Sequence, residues 1–292
     1  MSAWQRIAEE IAACTGSDFR PDPPVTLSGG CINTTFELGD GRQRWFVKTN
    51  RADRLDMFEA EGAGLEALAE TRTLHVPRAL CSGTSDGAVF LVIEHLALAR
   101  PGPTSWRQAG ELLAQMHRHT QRRFGWHRSN TIGSTAQRND WHEDWVTFWS
   151  KYRLGFQLET AARNGYGGRL QALGGQLLSR FAVLIDHHPE ASLLHGDLWS
   201  GNLAFTRDGM PTIYDPATYY GDRETELAMT ELFGGFPADF YAAYNDSLPL
   251  ADGYRIRKTL YNLYHVLNHL NLFGGGYGAQ AERMIQQLLA EC

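Results

Sequence analysis

The most constraining feature of this chain is a spacing. Asp197 is followed five positions later by Asn202, and Asn202 thirteen positions later by Asp215. All three fall in Leu193–Asp215, a glycine- and proline-punctuated stretch inside an otherwise helical half, where a loop-borne site would sit. Between the last two, Leu203-Ala204-Phe205 and Pro211-Thr212-Ile213-Tyr214 read as short strands around an Asp208-Gly209 turn. A hairpin of that kind brings Asn202 and Asp215 to one face of a cleft. Phosphoryl transfer needs a carboxylate that takes the acceptor's proton, oxygen ligands for Mg2+, and a cation on the nucleotide phosphates. Asp197 suits the first role. Asn202 and Asp215 suit the second. His195-Gly196-Asp197 by itself is weak, because a buried Asp capping a turn is the commoner explanation of such a triplet.

The cation lies far upstream. Trp45-Phe46-Val47-Lys48 reads as a strand ending on a lysine, and Arg54 to Glu70 repeats Leu55, Phe58, Leu65 and Leu68 at helical spacing. A buried lysine costs on the order of several kcal/mol unless it is paired. Glu61 shares the inward face of Leu65 and Leu68, which favours it over Glu59 as the partner that holds Lys48 on the phosphates. Ser28-Gly29-Gly30-Cys31-Ile32-Asn33 sits between two strands, where Ser28, Gly29, Gly30 and Asn33 would let backbone N–H groups approach phosphate oxygens. It lacks GxGxxG spacing, so a plain hairpin turn fits it too. Glu94 ends the apolar run Val89–Ile93, and the backbone of Glu94 and Leu96 is placed to hydrogen-bond adenine. A charged strand end is the simpler reading of Glu94.

The remaining pattern predicts an α+β chain of two lobes. Residues 1–95 read as an antiparallel sheet with one inserted helix, a nucleotide-binding lobe. Residues 96–103, Leu96 to Pro103, read as a linker. Residues 104–292 read as a helical lobe carrying the catalytic loop and the acceptor site, with helices over Ser105–Thr120, Trp141–Ala162, Leu170–His187, Arg223–Phe233, Arg255–Leu272 and Ala279–Leu289. A formal net charge of −6 gives no reason to expect nucleic acid or an anionic membrane as partner. No apolar stretch approaches the ~20 residues that span a bilayer. Met1 to Cys14 lacks the basic start and apolar run of a signal peptide. Cys14, Cys31, Cys81 and Cys292 show no CxxC spacing, which fits a reducing cytoplasm.

With these residues assembled, the chain resembles the aminoglycoside-phosphotransferase-like branch of the protein-kinase fold and, within it, the fructosamine (ketosamine) kinase family. The likeness is carried by Ser28 to Asn33, Phe46-Val47-Lys48, Met57 to Glu61, Asn130 to Gln137, Trp141 to Phe148, Leu194 to Asn202, Asp215 to Glu224 and Tyr261 to His269. It implies ATP- and Mg2+-dependent phosphorylation of the sugar 3-hydroxyl of ketosamines, of ribulosamine or fructosamine type, on small amines or glycated proteins. That step destabilises the adduct and reverses glycation. Two departures from protein kinases point to a small acceptor: Trp199 stands where a lysine is usual, and Pro216-Ala217 follows the metal aspartate.

For the acceptor site the expectation is Trp199, stacking on the sugar or packing under the loop, with Asp222, Arg223 and Glu224 lining it or capping the next helix. Trp141, Trp145 and Trp149 at i, i+4, i+8 favour a core stripe over a sugar platform. His265 and His269 are one helical turn apart without an evident third metal ligand. The rival readings are a kinase for another hydroxylated amine, such as an aminoglycoside, choline or homoserine, and a nucleotide-binding pseudokinase with a regulatory role. A monomer or a homodimer is expected, with no nucleic-acid or membrane partner.

Overall fold

The computed structural model describes residues 2–27 and 32–292. Helix α1 (Ala3–Thr15) opens on a capping box between Ser2 and Gln5 and closes on Gly16 in the left-handed region. Then come β1 (Val25–Leu27), β2 (Thr34–Gly39), β3 (Arg44–Arg51), α2 (Leu55–Glu70), β4 (Ala79–Ser85) and β5 (Ala88–Glu94). The strands form one antiparallel sheet in the order β1-β2-β3-β5-β4. Alternation along β3 sends Val47 to one face and Lys48 to the other. On Val47's face, Ile7 and Ile11 of α1 pack with Phe90 and Val92.

On the opposite face Phe58, Leu65 and Leu68 of α2 meet Val89, Leu91 and Ile93 of β5. Each such fully buried side chain contributes about 1.5–3 kcal/mol. The same apolar cluster continues into the second half, through Leu113, Leu198, Phe205 and Ile213. It therefore sits beneath both the sheet and the glycine-punctuated stretch.

The second half begins with the short strand β6 (Leu98–Ala99), α3 (Ser105–Met116), β7 (Thr120–Gln121) and the hairpin β8 (Asn130–Ile132) with β9 (Thr135–Gln137). Helix α4 (Trp145–Trp149) runs through a π-helical turn (Ser150–Leu154) into α5 (Gly155–Arg163), followed by α6 (Arg169–Leu178). The helix expected from Trp141 starts four residues later, because Asp144 caps it: the Thr147 N–H donates to Asp144 Oδ1 at 2.7 Å. Trp145 and Trp149 are core residues against Tyr261, whereas Trp141 lies outside the helix.

Strand β10 (Ala191–Leu194) leads to the hairpin β11 (Leu203–Thr206) and β12 (Pro211–Ile213), paired Leu203 with Ile213, and then to β13 (Tyr219–Gly221). Strand β6 pairs with β11, which ties the segment after β5 to this hairpin. The chain ends in α7 (Glu224–Leu232), α8 (Ala238–Ser247), α9 (Tyr254–Phe273) and α10 (Tyr277–Glu291). Helix α8 is the one the periodicity did not predict. Only Phe240, Ala243 and Tyr244 of its ten residues are buried, so its apolar stripe is too short to register. The architecture is α+β, with an antiparallel N-terminal sheet and a helical C-terminal portion.

Candidate active site

Lys48 is held in register between Thr35 and Leu91 at the centre of the sheet and is only 2% exposed. Its Nζ lies 2.5 Å from Glu61 Oε1 and also binds the Asp215 carboxylate. Burial alone would lower the Lys48 pKa. The two carboxylates outweigh it and hold the ammonium charged, with the pKa raised above the ordinary value. Helix α2 reaches this point because Gly64 is small: a Cβ there would stand 2.9 Å from Thr218 Oγ1 and 3.2 Å from Pro216 Cγ. Asp215 follows β12 with φ 61°, left-handed backbone that Asp tolerates better than most residues.

The loop after β10 is stitched to the same segment. His195 Nε2 donates to the Tyr214 carbonyl (2.9 Å), and its Nδ1 accepts from the Asp197 N–H (3.3 Å). A ring that donates from Nε2 and accepts at Nδ1 is the neutral form, and burial lowers the His195 pKa in the same sense. Gly196 has φ 85°, and a Cβ there would meet the Ala217 oxygen at 2.1 Å. Only glycine fits. Ala217 N–H in turn donates to the His195 carbonyl at 2.8 Å.

Asn202 Nδ2 donates to the Asp197 carbonyl (2.8 Å) and to Asp197 Oδ2 (3.3 Å). Burial, reinforced by the Asp215 charge, pushes the Asp197 carboxyl up to about 7. A carboxylate in that range takes a proton far more readily than an ordinary one. The structure thus brings Lys48, Glu61, Asp197, Asn202 and Asp215 to one site from three separate stretches of chain.

Hard oxygen donors for Mg2+ are present in it. The Asn202 amide nitrogen is committed to Asp197, which leaves its amide oxygen unused among the described residues. Asp215 is half exposed and binds Lys48 through one oxygen. One amide oxygen and one carboxylate fit the metal's preference.

Sequence reasoning missed the support beneath this loop. Glu226, on α7, accepts from the backbone N–H of Gly196 (2.7 Å) and of His195 (3.1 Å). Its Oε2 also meets His117 Nε2 at 2.9 Å, and His117 Nδ1 meets the Tyr244 hydroxyl at 2.7 Å. Burial raises the Glu226 carboxyl, but His117 and the Gly196 amide together bring it below the usual value. On the other side, Gln137 Nε2 donates to the Ala217 carbonyl (2.9 Å) and Asn130 Nδ2 to the Thr218 carbonyl (2.8 Å). Gln137 is oriented by the Tyr264 hydroxyl, and Arg153, fully buried, lies 4.1 Å from the Tyr219 ring.

The residues expected at the acceptor separate into two groups. Trp199, in the loop after β10, is 37% exposed and lies 6.2 Å from the Phe233 ring. Of the two readings for Asp222, Arg223 and Glu224, the contacts favour the structural one: Asp222 and Glu224 are buried and Arg223 is half-buried. Asp222 is buried, caps α7 through the Glu224 N–H (3.0 Å) and accepts from the Tyr261 hydroxyl (2.6 Å). Glu224 is buried against Arg257, with Nε to Oε2 at 2.7 Å and Nη2 to Oε1 at 3.0 Å. The Arg223 guanidinium bonds the Tyr244 hydroxyl and the carbonyls of Leu248 and Pro249.

At the nucleotide end, Ser28, Gly29 and Gly30, with Cys31, lie outside the described residues. Asn33 accepts from Asn50 Nδ2 at 2.7 Å and so anchors β2 to β3. The Glu94 N–H donates to the Arg78 carbonyl (2.9 Å), so a contact with adenine from Glu94 falls to its carbonyl. Leu96 follows in a half-buried stretch.

Residues 3–291 match the fructosamine kinase family model. A probable ketoamine kinase of Synechocystis is 49% identical over 98% of this chain and 97% of its own. The chloroplastic protein-ribulosamine 3-kinase of Arabidopsis thaliana is 42% identical over 90% of this chain and 82% of its own. Among solved structures, a candidate fructosamine-3-kinase of Haemophilus somnus superposes with a TM-score of 0.91 at 32% identity, covering 99% of this chain and 98% of that one. An aminoglycoside phosphotransferase shares the fold at a TM-score of 0.62 and 16% identity, over 97% of this chain and 98% of that one.

Proposed function

The chain belongs to the fructosamine kinase family and is an ATP-dependent kinase; on that premise we propose that it phosphorylates the sugar 3-hydroxyl of ketosamines on glycated amines or proteins. The observation that carries this reading is the convergence of Lys48, Glu61 and Asp215 with Asp197 and Asn202. Lys48, fixed by Glu61, binds the nucleotide phosphates. Asp197 holds the acceptor hydroxyl and takes its proton. The hydroxyl oxygen forms a bond to the γ-phosphorus as the bond to the bridging oxygen breaks, releasing ADP. Asn202 and Asp215 would hold Mg2+, which would neutralise phosphate charge.

Trp199 is assigned to the acceptor, where an exposed aromatic ring suits the apolar face of a sugar. The Leu96 backbone and the Glu94 carbonyl are assigned to adenine, and the loop from Ser28 to Asn33 to the phosphates. In this reading residues 1–95 form the nucleotide lobe, 96–103 the link and 104–292 the acceptor lobe. The ribulosamine activity in the Arabidopsis relative's name supports a pentose-derived acceptor, and phosphorylation at that position starts removal of the adduct. Among the described residues no helix is long and apolar enough to cross a membrane. A cytoplasmic enzyme acting as monomer or homodimer completes the proposal.

The test is incubation with ATP, Mg2+ and ribulosamine and fructosamine derivatives of lysine, following ADP release and locating the phosphate by NMR. ADP release with a sugar 3-phosphate is expected, and faster with ribulosamines. ADP release on an aminoglycoside, choline or homoserine, with none on any ketosamine, would replace the acceptor assignment.

A further inference from the structure

On the sheet face away from the cleft, α1 and β4 bring two thiols together. Ser85 Oγ, at the end of β4, donates to the Ala3 carbonyl at the start of α1 (3.2 Å). From that pin the helix runs to Cys14, a rise of ~16 Å at about 1.5 Å per residue. Strand β4 runs back from Ser85 to Cys81 over ~13 Å at about 3.3 Å per residue. Strand alternation puts Cys81 on the same face as Ser85, the face turned to α1. Cys81 packs there against the core of Ile7, Ile11, Phe90 and Val92.

Helix α1 packs along β4 on this face, and Ala12 in its last turn shares one apolar cluster with Cys81. Burial, and then the neighbouring Cys14 thiol, push the Cys81 thiol up to about 12. Both cysteines are free thiols; Cys14 is exposed and Cys81 half-buried.

We propose that Cys14 and Cys81 are a redox modification site, converted by a small-molecule disulfide into one intrachain disulfide that staples α1 to β4. The exposed Cys14 thiolate attacks a sulfur of the small disulfide, and one small thiolate leaves. Cys81 gives its proton to solvent, its sulfur attacks Cys14 Sγ, and the second thiolate leaves. Two protein thiols are oxidised and one small disulfide is reduced to two thiols. The link closes a loop of more than sixty residues, which restricts the unfolded chain. Val47, under α1, and Lys48, in the cleft, face opposite sides of β3, so the staple stabilises the sheet without entering the site.

The experiment treats the reduced full-length protein with excess oxidised glutathione. Unreduced digestion follows, with an endoproteinase that cuts before aspartate, which isolates Cys14 in residues 1–17 and Cys81 in residues 56–85, apart from Cys31. The expected result is a cross-link between these two peptides and a rise in melting temperature of roughly 5 °C, both reversed by a dithiol reductant. Cys14→Ser should abolish the link and the rise, while Cys292→Ser keeps both. Cys81→Ala should stop the reaction at a glutathione adduct on Cys14. A stable glutathione adduct on Cys14 in the wild-type protein with no link to Cys81 overturns the proposal. So does a rise in melting temperature that survives Cys14→Ser.

Discussion

Asp215 and the pair Asp222 and Glu224 lie within ten residues of one another, carry the same charge and do opposite things. The Asp215 side chain is 49% exposed, and its oxygens are shared between Lys48 and open space. Asp222 and Glu224 are 2% and 1% exposed. Every Glu224 oxygen is taken by Arg257 or by the Ala251 N–H, and Asp222 is taken by Tyr261 and the Glu224 N–H. A carboxylate that must receive a metal or a proton needs spare lone pairs and access. One that fixes a helix against its neighbours needs neither. The difference lies in partners and not in residue type, so the acidic run after β12 cannot be divided by composition.

The largest expected effect lies on the open side. Asp197→Asn keeps the size of the side chain and the hydrogen bond to Asn202 but removes the proposed proton acceptor. Turnover should fall by at least ~1000-fold, about 4 kcal/mol in the barrier, while the affinity for ATP stays within a few-fold. Single-turnover kinetics beside nucleotide binding measure both. Near-wild-type turnover by this variant would remove Asp197 from the chemistry.

The closed side should fail differently. Arg257→Met leaves Glu224 buried and unpaired, a loss of about 3–5 kcal/mol of stability. The urea midpoint should drop accordingly, while activity per folded molecule remains close to wild type. A folded Arg257→Met protein without activity would erase the distinction between the two regions.

Glu226 tests the boundary between them. It is buried like Glu224, yet its partners are the amides of His195 and Gly196, directly before Asp197. Glu226→Gln replaces an acceptor oxygen by a donor facing those N–H groups. A fall in kcat of roughly 10- to 100-fold with KM for ATP nearly unchanged is expected, about 1.4–2.7 kcal/mol. Equal losses in both parameters would instead mean a general collapse of the site.

Glu226 also marks where the sequence stops being informative. Lys48, Asp197, Asn202 and Asp215 are legible because each is a polar residue ending an apolar run or breaking one at a fixed interval. The sheet and α2 are legible for the same reason, through period-2 and helical spacing. Glu226 offers no such mark. Its partners are backbone amides thirty residues away and His117 on the far side of the core, so only the fold brings them together. Asp222 and Glu224 stay undivided between two readings for the complementary reason: their saturating partners, Tyr261 and Arg257, arrive from α9.

Helix α9 therefore joins the two regions, and its remaining titratable groups give the smallest and most specific test. Arg257 serves the closed cluster, while two turns further on His265 is 5% exposed. Burial, helped by His269 and by the Arg153 charge, lowers the His265 pKa to about 3 from 6.5. The folded state thus binds this proton more weakly than the unfolded chain does. Stability is fully present above pH 6.5 and is lost as the pH falls towards 3. Between pH 7.5 and 5 the loss from this residue is about 2 kcal/mol. His195 and His269 are also shifted downward and add to the fall in any variant, so the informative quantity is a difference. Urea unfolding of wild type and His265→Asn at both pH values should show the variant losing about 2 kcal/mol less. Parallel losses would mean that His265 is solvated in the folded protein, and that α9 is closed only at its Arg257 end.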